Sequence, residues 1–451
     1  MVVQPTIAWK YDWFGNLELV WVKEPDIRIV EYIACRELGL SRETPCVVTF
    51  LAEGAYNKVY SVQCGPDAHY VLRVTAPVRP QLKPLSEVAT IKYVQQHSNI
   101  PVPSMLKFES SHNNELGFEW MIMNEVTGSK LDEQWRSMSR LKKEPVVRRV
   151  ISSVAQIFQM RFNHLGNFYT TKDLQCLPSA DIPDIVLLGR EHSGFENGFC
   201  LGKAVSRSFF WGNHLKFESL RDKPVTVDED PEDDSDSDED PNPYHTPEAI
   251  KVRIQRLIDL LPTVVPKDEP EAYVLHHGDL HESNIFVGED HEFLGIIDWE
   301  CLPAVPLWAA CEIPKFLETA LDRHECPDPG YYAKEVMDDG SEELKTMYYK
   351  HLDEYEKTQL RVFFLEEMQR TCPKWIGVYR QNKLKAAFGE IVAVLGDLTN
   401  SKIIDEWLDA VKEFGFAPTI GKMLHAYKQE SLYHQRNAVR AAMDKDINGT
   451  T

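Results

Sequence analysis

Leu275-His276-His277-Gly278-Asp279-Leu280-His281-Glu282-Ser283-Asn284-Ile285-Phe286, answered after a short turn by Leu294-Gly295-Ile296-Ile297-Asp298-Trp299, is the stretch on which the reading of this chain turns. Two apolar runs, Ile285-Phe286-Val287 and Phe293 to Ile297, flank Gly288-Glu289-Asp290 and read as a hairpin. That hairpin brings Asn284, at its start, together with Asp298, just beyond its end. Ahead of it lies H-x-D-x-x-x-x-N, with His277 placed to order the loop through hydrogen bonds. A plain hairpin with capping polar residues explains this cluster poorly, because polar groups beside an apolar hairpin cost free energy unless they find partners.

Phosphoryl transfer asks for this set of side chains. A carboxylate accepts or orients the proton of an attacking hydroxyl, while a neutral oxygen and a second carboxylate hold Mg²⁺ against the phosphates of ATP. Magnesium is a hard octahedral ion, so amide and carboxylate oxygens suit it. The expected catalytic residues are therefore Asp279, as base, and His277; the expected metal ligands are Asn284 and Asp298.

Working outward toward the amino terminus, Pro25 to Leu38 reads as a helix with Ile27, Val30, Ala34 and Leu38 on one face. Strand signals follow at Val47 to Phe50, Lys58 to Val62 and His69 to Val74. A helix is expected from Leu85 to Gln96, then a hairpin of Met105 to Glu109 and Gly117 to Asn124. Phe118, Trp120 and Ile122 share a face of that last strand. After Gly128 the chain reads as mostly helical, including 249–261, 342–370, 384–395 and 403–414. This order predicts an α+β, protein-kinase-like two-lobed fold: an antiparallel N-lobe sheet plus a helix, then a mostly helical C-lobe. The expected boundaries are an extension over 1–45, an N-lobe over 46–126, a C-lobe over 127–425 and a tail over 426–451.

Nucleotide-binding residues are expected in the N-lobe. Gly54 and Asn57, in Glu53-Gly54-Ala55-Tyr56-Asn57, sit in a turn whose backbone could approach phosphates. Arg73 lies in a strand where a kinase places the cation for the α- and β-phosphates, and Glu87 is its natural helix partner. Arginine instead of lysine preserves the grip, since guanidinium binds phosphate bidentately. Met123, Glu125 and Val126 would form the hinge whose backbone meets adenine. Trp299 reads as packing.

H-G-D-L-H-x-x-N-I followed by I-D-W-E resembles the signature of the aminoglycoside phosphotransferase and choline kinase-like superfamily. Trp9 to Gly15, Ala52 to Lys58, Ser86 to Thr90 and Leu116 to Met123 further resemble large fungal members, over roughly residues 9 to 420. The resemblance implies a phosphotransferase acting on a hydroxyl of a small molecule. Antibiotic-resistance members usually continue with G-D-P and a further Asp after the metal aspartate. Here the chain reads Glu300-Cys301-Leu302-Pro303, so a remodelled substrate side is implied and antibiotic inactivation is not.

Charge narrows the partners. With 49 basic and 70 acidic residues the formal net charge is -21, which argues against nucleic acid or an anionic membrane. Nearly half of that surplus lies in Asp228 to Asp240, which has no apolar residue and reads as a solvated insertion, about 222–245. It is either inert or regulated through Ser235 or Ser237. Nine scattered cysteines without C-x-x-C spacing fit reduced thiols. No apolar run is long enough to span a membrane. No secretory signal is evident and the start is neither Arg- nor Ser-rich, so a cytoplasmic location is expected, with a mitochondrial one left open. The alternative to an enzyme is a pseudokinase-type nucleotide-binding module acting through partners.

Overall fold

The computed structural model describes residues 6–11, 17–41, 44–66, 68–175, 177, 186–187, 198–207, 210, 247–265, 272–319, 321–336, 342–344, 346–395, 400–415 and 423. The acidic run 228–240 and the tail 426–451 lie outside the described residues. The chain divides into two compact units, one comprising Met1–Ser237, Pro270–Phe316 and Phe363–Val378, the other Asp238–Glu269, Leu317–Val362 and Tyr379–Thr451.

In the first unit, Ile7–Tyr11 (β1) and Leu17–Trp21 (β2) form an antiparallel hairpin that the aromatic-rich sequence did not reveal as strands. Helix Ile27–Glu37 (α1) starts where the Asp26 side chain accepts the Arg28 amide at 2.9 Å, an N-cap that satisfies one orphan donor. Its buried face is Val30, Ile33 and Ala34. Ile27, expected inward, is the first residue of the helix and is 42% exposed.

Cys46–Glu53 (β3), Asn57–Cys64 (β4), Ala68–Thr75 (β5), Met105–Glu109 (β6) and Glu119–Asn124 (β7) make one antiparallel sheet, ordered β3-β4-β5-β7-β6. Period-two alternation sorts its faces. Tyr60, Val62, Leu72, Val74, Phe118, Trp120 and Ile122 pack with α1 into one apolar cluster. Arg73, between Leu72 and Val74, therefore points to the opposite face, where Val59 and Met121 are its cross-strand partners. Helix Leu82–His97 (α2) is buried at every position from Leu82 to Ile91, so the polar Lys83, Ser86, Glu87 and Thr90 are internal.

The chain continues through Ser129–Lys130 (β8), Leu131–Trp135 (α3) and Arg140–Gln159 (α4), which buries Val146, Val147, Val150 and Ile151. A small sheet was not legible in a stretch that reads as helical: Asn167–Thr170 (β9), then the turn Thr171–Leu174 (α5), with Val186–Leu187 (β10) and Phe199–Gly202 (β11), ordered β10-β11-β9. In the second unit, helix Pro247–Val264 (α6) follows.

Back in the first unit, Tyr273–Leu275 (β12) leads into the loop that carries His277 and Asp279. Ile285–Val287 (β13) pairs with Phe293–Ile296 (β14) and with β8, while Ala304–Pro306 (β15) pairs with β12 and precedes Leu307–Ala310 (α7). Gly128 lets β8 approach this hairpin. Its φ is +115°, and a Cβ there would stand 2.5 Å from Leu294 Cδ1 and 2.6 Å from Val287 O.

In the second unit Lys334–Val336 (β16) pairs with Glu342–Leu344 (β17). The helix expected from Glu342 therefore starts only at Thr346, because pairing with β16 satisfies the backbone of 342–344 in a way local propensity does not register. Thr346–Thr371 (α8) and Pro373–Gln381 (α9) each have residues in both units. Lys383–Val394 (α10) and Ser401–Phe414 (α11) share with α6 a core of Leu257, Phe388, Ile391, Ile404, Trp407 and Leu408. Antiparallel sheet with a supporting helix, then a largely helical remainder, is the α+β protein-kinase-like order.

Candidate active site

The loop between β12 and β13 is held by its own backbone and side chains. The His281 amide donates to Asp279 O at 2.9 Å and the Asn284 amide to His281 O at 3.0 Å. Ile285 pairs with Ile296 across the hairpin, and the Ile297 amide donates to Asn284 O at 3.0 Å. Asn284 and Asp298 are thus brought to the same end of the hairpin, as the spacing predicted. The Asn284 side-chain amide nitrogen donates to Asp279 O at 2.9 Å and lies 3.1 Å from His281 Nε2. With the nitrogen engaged on both sides, Oδ1 is left as the acceptor end of that amide.

His277 is 3% exposed, and its Nε2 donates to Ile297 O at 3.0 Å, tying the loop to the far strand of the hairpin. Trp299 stacks edge-on against it at 5.0 Å and donates Nε1–H to Ile296 O at 2.9 Å, which is the packing role expected of it. Burial pushes the imidazole down to about 4, against the raising effect of the Ile297 hydrogen bond, so His277 is neutral near neutral pH.

Asp298 has φ +64°, a left-handed conformation that aspartate tolerates better than most residues. Burial and the neighbouring Glu300 raise its proton affinity, opposed by Arg207 and Arg73. Asp279 moves the other way. Burial raises it, but the Lys315 hydrogen bond at 2.9 Å and the Arg207 charge outweigh that and hold the carboxyl below its ordinary range. The candidate base is therefore ionised.

Arg73 and Glu87 form a buried ion pair, 8% and 1% exposed, joining β5 to α2 as expected. The guanidinium also lies 3.1 Å from Met121 Sδ, and its Nε has no hydrogen-bond partner. Asn57 does not project freely from its turn. Its Nδ2 donates to Glu300 Oε2 at 2.9 Å, and its Oδ1 accepts from Thr75 Oγ1 at 2.9 Å. Gly54 donates to Asn57 O at 2.8 Å but lies outside the left-handed region, and a Cβ there would meet only Asn57 O at 4.0 Å. The turn itself does not require glycine. At the hinge Met123 is buried and paired with Val71 and Met105. The Asn124 amide donates to Ser104 O at 3.0 Å and the Glu125 amide to His69 O at 3.3 Å.

Four site residues escaped sequence reasoning. Glu300, 2% exposed, receives Lys83 Nζ at 2.7 Å beside Asn57, with Arg73 and Arg207 each at 3.8 Å. Burial opposes its charge, but Lys83, Arg73 and Arg207 together hold it at about 2. Lys83 is itself only 1% exposed. Arg207 donates to both Asp279 and Asp298, and Lys315 to Asp279. Glu300 is where the chain departs from the resistance-enzyme pattern, and that departure was the one signal available in sequence. For the three cations there was none.

Sheet-borne Arg paired to a helix Glu, and an H-x-D-x-x-x-x-N loop closing on a hairpin that ends in Asp298, define a protein of the protein-kinase-like class. A sequence profile of the phosphotransferase enzyme family (APH) matches residues 47–309, more than half of the chain, and the chain belongs to that family. A subtelomeric hrmA-associated cluster protein of Aspergillus fumigatus is 23% identical over 302 residues, 59% of this chain and 59% of that protein. Altered inheritance of mitochondria protein 9, mitochondrial, of Meyerozyma guilliermondii is 27% identical over 170 residues, 36% of this chain and 27% of that protein. The chain thus spans less than two thirds of the length of these curated relatives. Among solved structures, a thermostable mutant of aminoglycoside phosphotransferase APH(4)-Ia in a ternary complex with ADP and hygromycin B superposes with a TM-score of 0.41 at 14% identity, covering 86% of this chain and 99% of that one. Spectinomycin phosphotransferase APH(9)-Ia, in complex with ADP and spectinomycin, gives 0.34 at 15% identity, covering 84% and 92%.

Proposed function

We propose that this chain is an ATP- and magnesium-dependent phosphotransferase that moves the γ-phosphate of ATP to a hydroxyl of a small molecule. The observation that carries this reading is the meeting of Asp279, Asn284 and Asp298 at one end of the β13–β14 hairpin, with the Asp279 carboxyl held ionised. Asp279 takes the proton of the attacking hydroxyl. His277, neutral and bound to Ile297 O, fixes the loop that presents it. Arg73, braced by Glu87, grips the α- and β-phosphates.

The donor set fits a magnesium ion. Asn284 Oδ1 and the Asp298 carboxylate supply two hard oxygens, and substrate phosphates and water would complete the shell. When bound, the ion would offset charge on the phosphate oxygens during transfer.

Adenine would be read at Met123 to Val126. The amides of Asn124 and Glu125 are already engaged, so adenine would be read by other backbone groups of this segment. Gly54 serves the phosphates by presenting no side chain toward them. In this reading the acceptor is a small molecule, not a nucleic acid or a membrane. No helix among the described residues is long and apolar enough to cross a membrane. We place the protein in the cytoplasm, while the relatives named for mitochondrial inheritance make a mitochondrial location the outcome to test.

A second reading, a pseudokinase-type module that holds nucleotide and acts through partners, draws support from the ion pairs Arg207 makes with both Asp279 and Asp298. One comparison separates the two. Incubated with ATP, Mg²⁺ and a metabolite library, the wild type should transfer phosphate, and Asp279→Asn should lower kcat by about 10²–10⁴-fold, the range for loss of a general base. Equal residual turnover in both proteins would favour the binding module.

A further inference from the structure

Arg207 gives the site a cation of its own. It follows β11, and its guanidinium forks across two carboxylates: Nη1 donates to Asp279 Oδ2 and Nη2 to Asp298 Oδ2. The same Nη2 stands 3.8 Å from Glu300 Oε1. Three carboxylates, Asp279, Asp298 and Glu300, thus face four cations, Arg73, Lys83, Arg207 and Lys315. Their partners are unequal. Glu300 is matched by Lys83, and Asp279 by Lys315 at 2.9 Å, whereas Asp298 has Arg207 as its hydrogen-bonded cation. Take Arg207 away and Asp298 is left beside Glu300, a like charge in a buried setting, with the Arg73 charge as the main offset.

The proposed metal site uses this same Asp298 carboxylate. One oxygen cannot take an arginine N–H and a divalent cation in the same direction. We propose that Arg207 is a built-in counter-ion that competes with the divalent cation for Asp298, so that the metal is admitted together with a polyphosphate rather than before it. An incoming triphosphate offers the guanidinium equivalent oxygens in bidentate geometry, which lets it leave Asp298 without losing its hydrogen bonds. Arginine suits the task because it stays protonated at any physiological pH, so the competition does not depend on titration. The inference rests on Asp298 being a metal ligand.

Mn²⁺ titration of the full chain without nucleotide, followed by the electron paramagnetic resonance of free Mn²⁺, tests it. Wild type should bind weakly, and Arg207→Gln should bind at least about tenfold tighter, the response to removing a competitor of modest strength. Equal or weaker binding by a folded Arg207→Gln protein overturns the proposal. Should that variant fail to fold, Arg207→Lys, which keeps the charge but loses the fork, takes its place: a several-fold gain is expected, and an unchanged affinity overturns the idea. A third protein isolates the premise. Adding Asp298→Asn to Arg207→Gln should abolish the gain; if the gain survives, the ion sits elsewhere, and it is the assignment of Asp298 as ligand that fails.

Discussion

At the scale of single residues, His277 shows how burial assigns a chemical state. Its ordinary value of 6.5 falls to about 4 because desolvation disfavours the charged ring. The sign for stability follows from linkage. As pH falls through 6.5 the unfolded chain takes up a proton that the folded chain refuses until about 4, so stability declines across that window by up to on the order of 3 kcal/mol and no further below it. His277→Gln, which keeps a donor for Ile297 O, should remove this slope. Denaturant unfolding at several pH values between 7 and 4 checks the point: the gap between the two proteins should change with pH, and parallel curves would refute it. Asp298 makes the complementary case. Its left-handed backbone sets it at the end of the hairpin, and its neighbours, not its own chemistry, decide how readily it takes a proton.

At the scale of elements, two glycines separate structural demand from functional demand. Gly128 admits no side chain, since a Cβ there would collide with Val287 and Leu294 of the β13–β14 hairpin and its φ is +115°. Gly128→Ala should therefore destabilise the protein by at least about 1–3 kcal/mol, through backbone strain and the collision together. Gly54, between β3 and β4, meets no such obstacle. Gly54→Ala should leave thermal stability within about 0.5 kcal/mol of wild type and still weaken the stabilisation that MgATP confers. Thermal shifts with and without MgATP read both outcomes at once. Full retention of the nucleotide shift by Gly54→Ala would remove the phosphate role from that turn. Local sequence pattern made these elements legible: β3 to β7 and α2 came out near their expected bounds, because β-branched and aromatic runs punctuated by turn residues are written along the chain itself. The sheet of β9, β10 and β11 did not, because its strands are short and pair across long separations, which local pattern does not encode.

At the scale of the molecule, the second unit has an apolar core built from α6, α10 and α11, and a defect in that core should be felt there. In the second unit Trp407 is fully buried among the side chains of α6, α10 and α11. Trp407→Ala should cost about 3–5 kcal/mol of that unit's stability. Native-state hydrogen exchange would show faster exchange in those three helices; unchanged protection there would contradict the packing.

The sequence by itself determined the residues whose relation is local. Asp279, Asn284 and Asp298 follow from loop spacing and one hairpin, and Arg73 with Glu87 from a strand and the helix after it. Only the tertiary structure decided which cations meet them. Arg207 reaches Asp279 and Asp298 from 72 and 91 positions away, and Lys83 reaches Glu300 from 217. A charge pair needs only proximity in a poorly screened interior and imposes no periodicity on the chain, so nothing in the order of residues announces it.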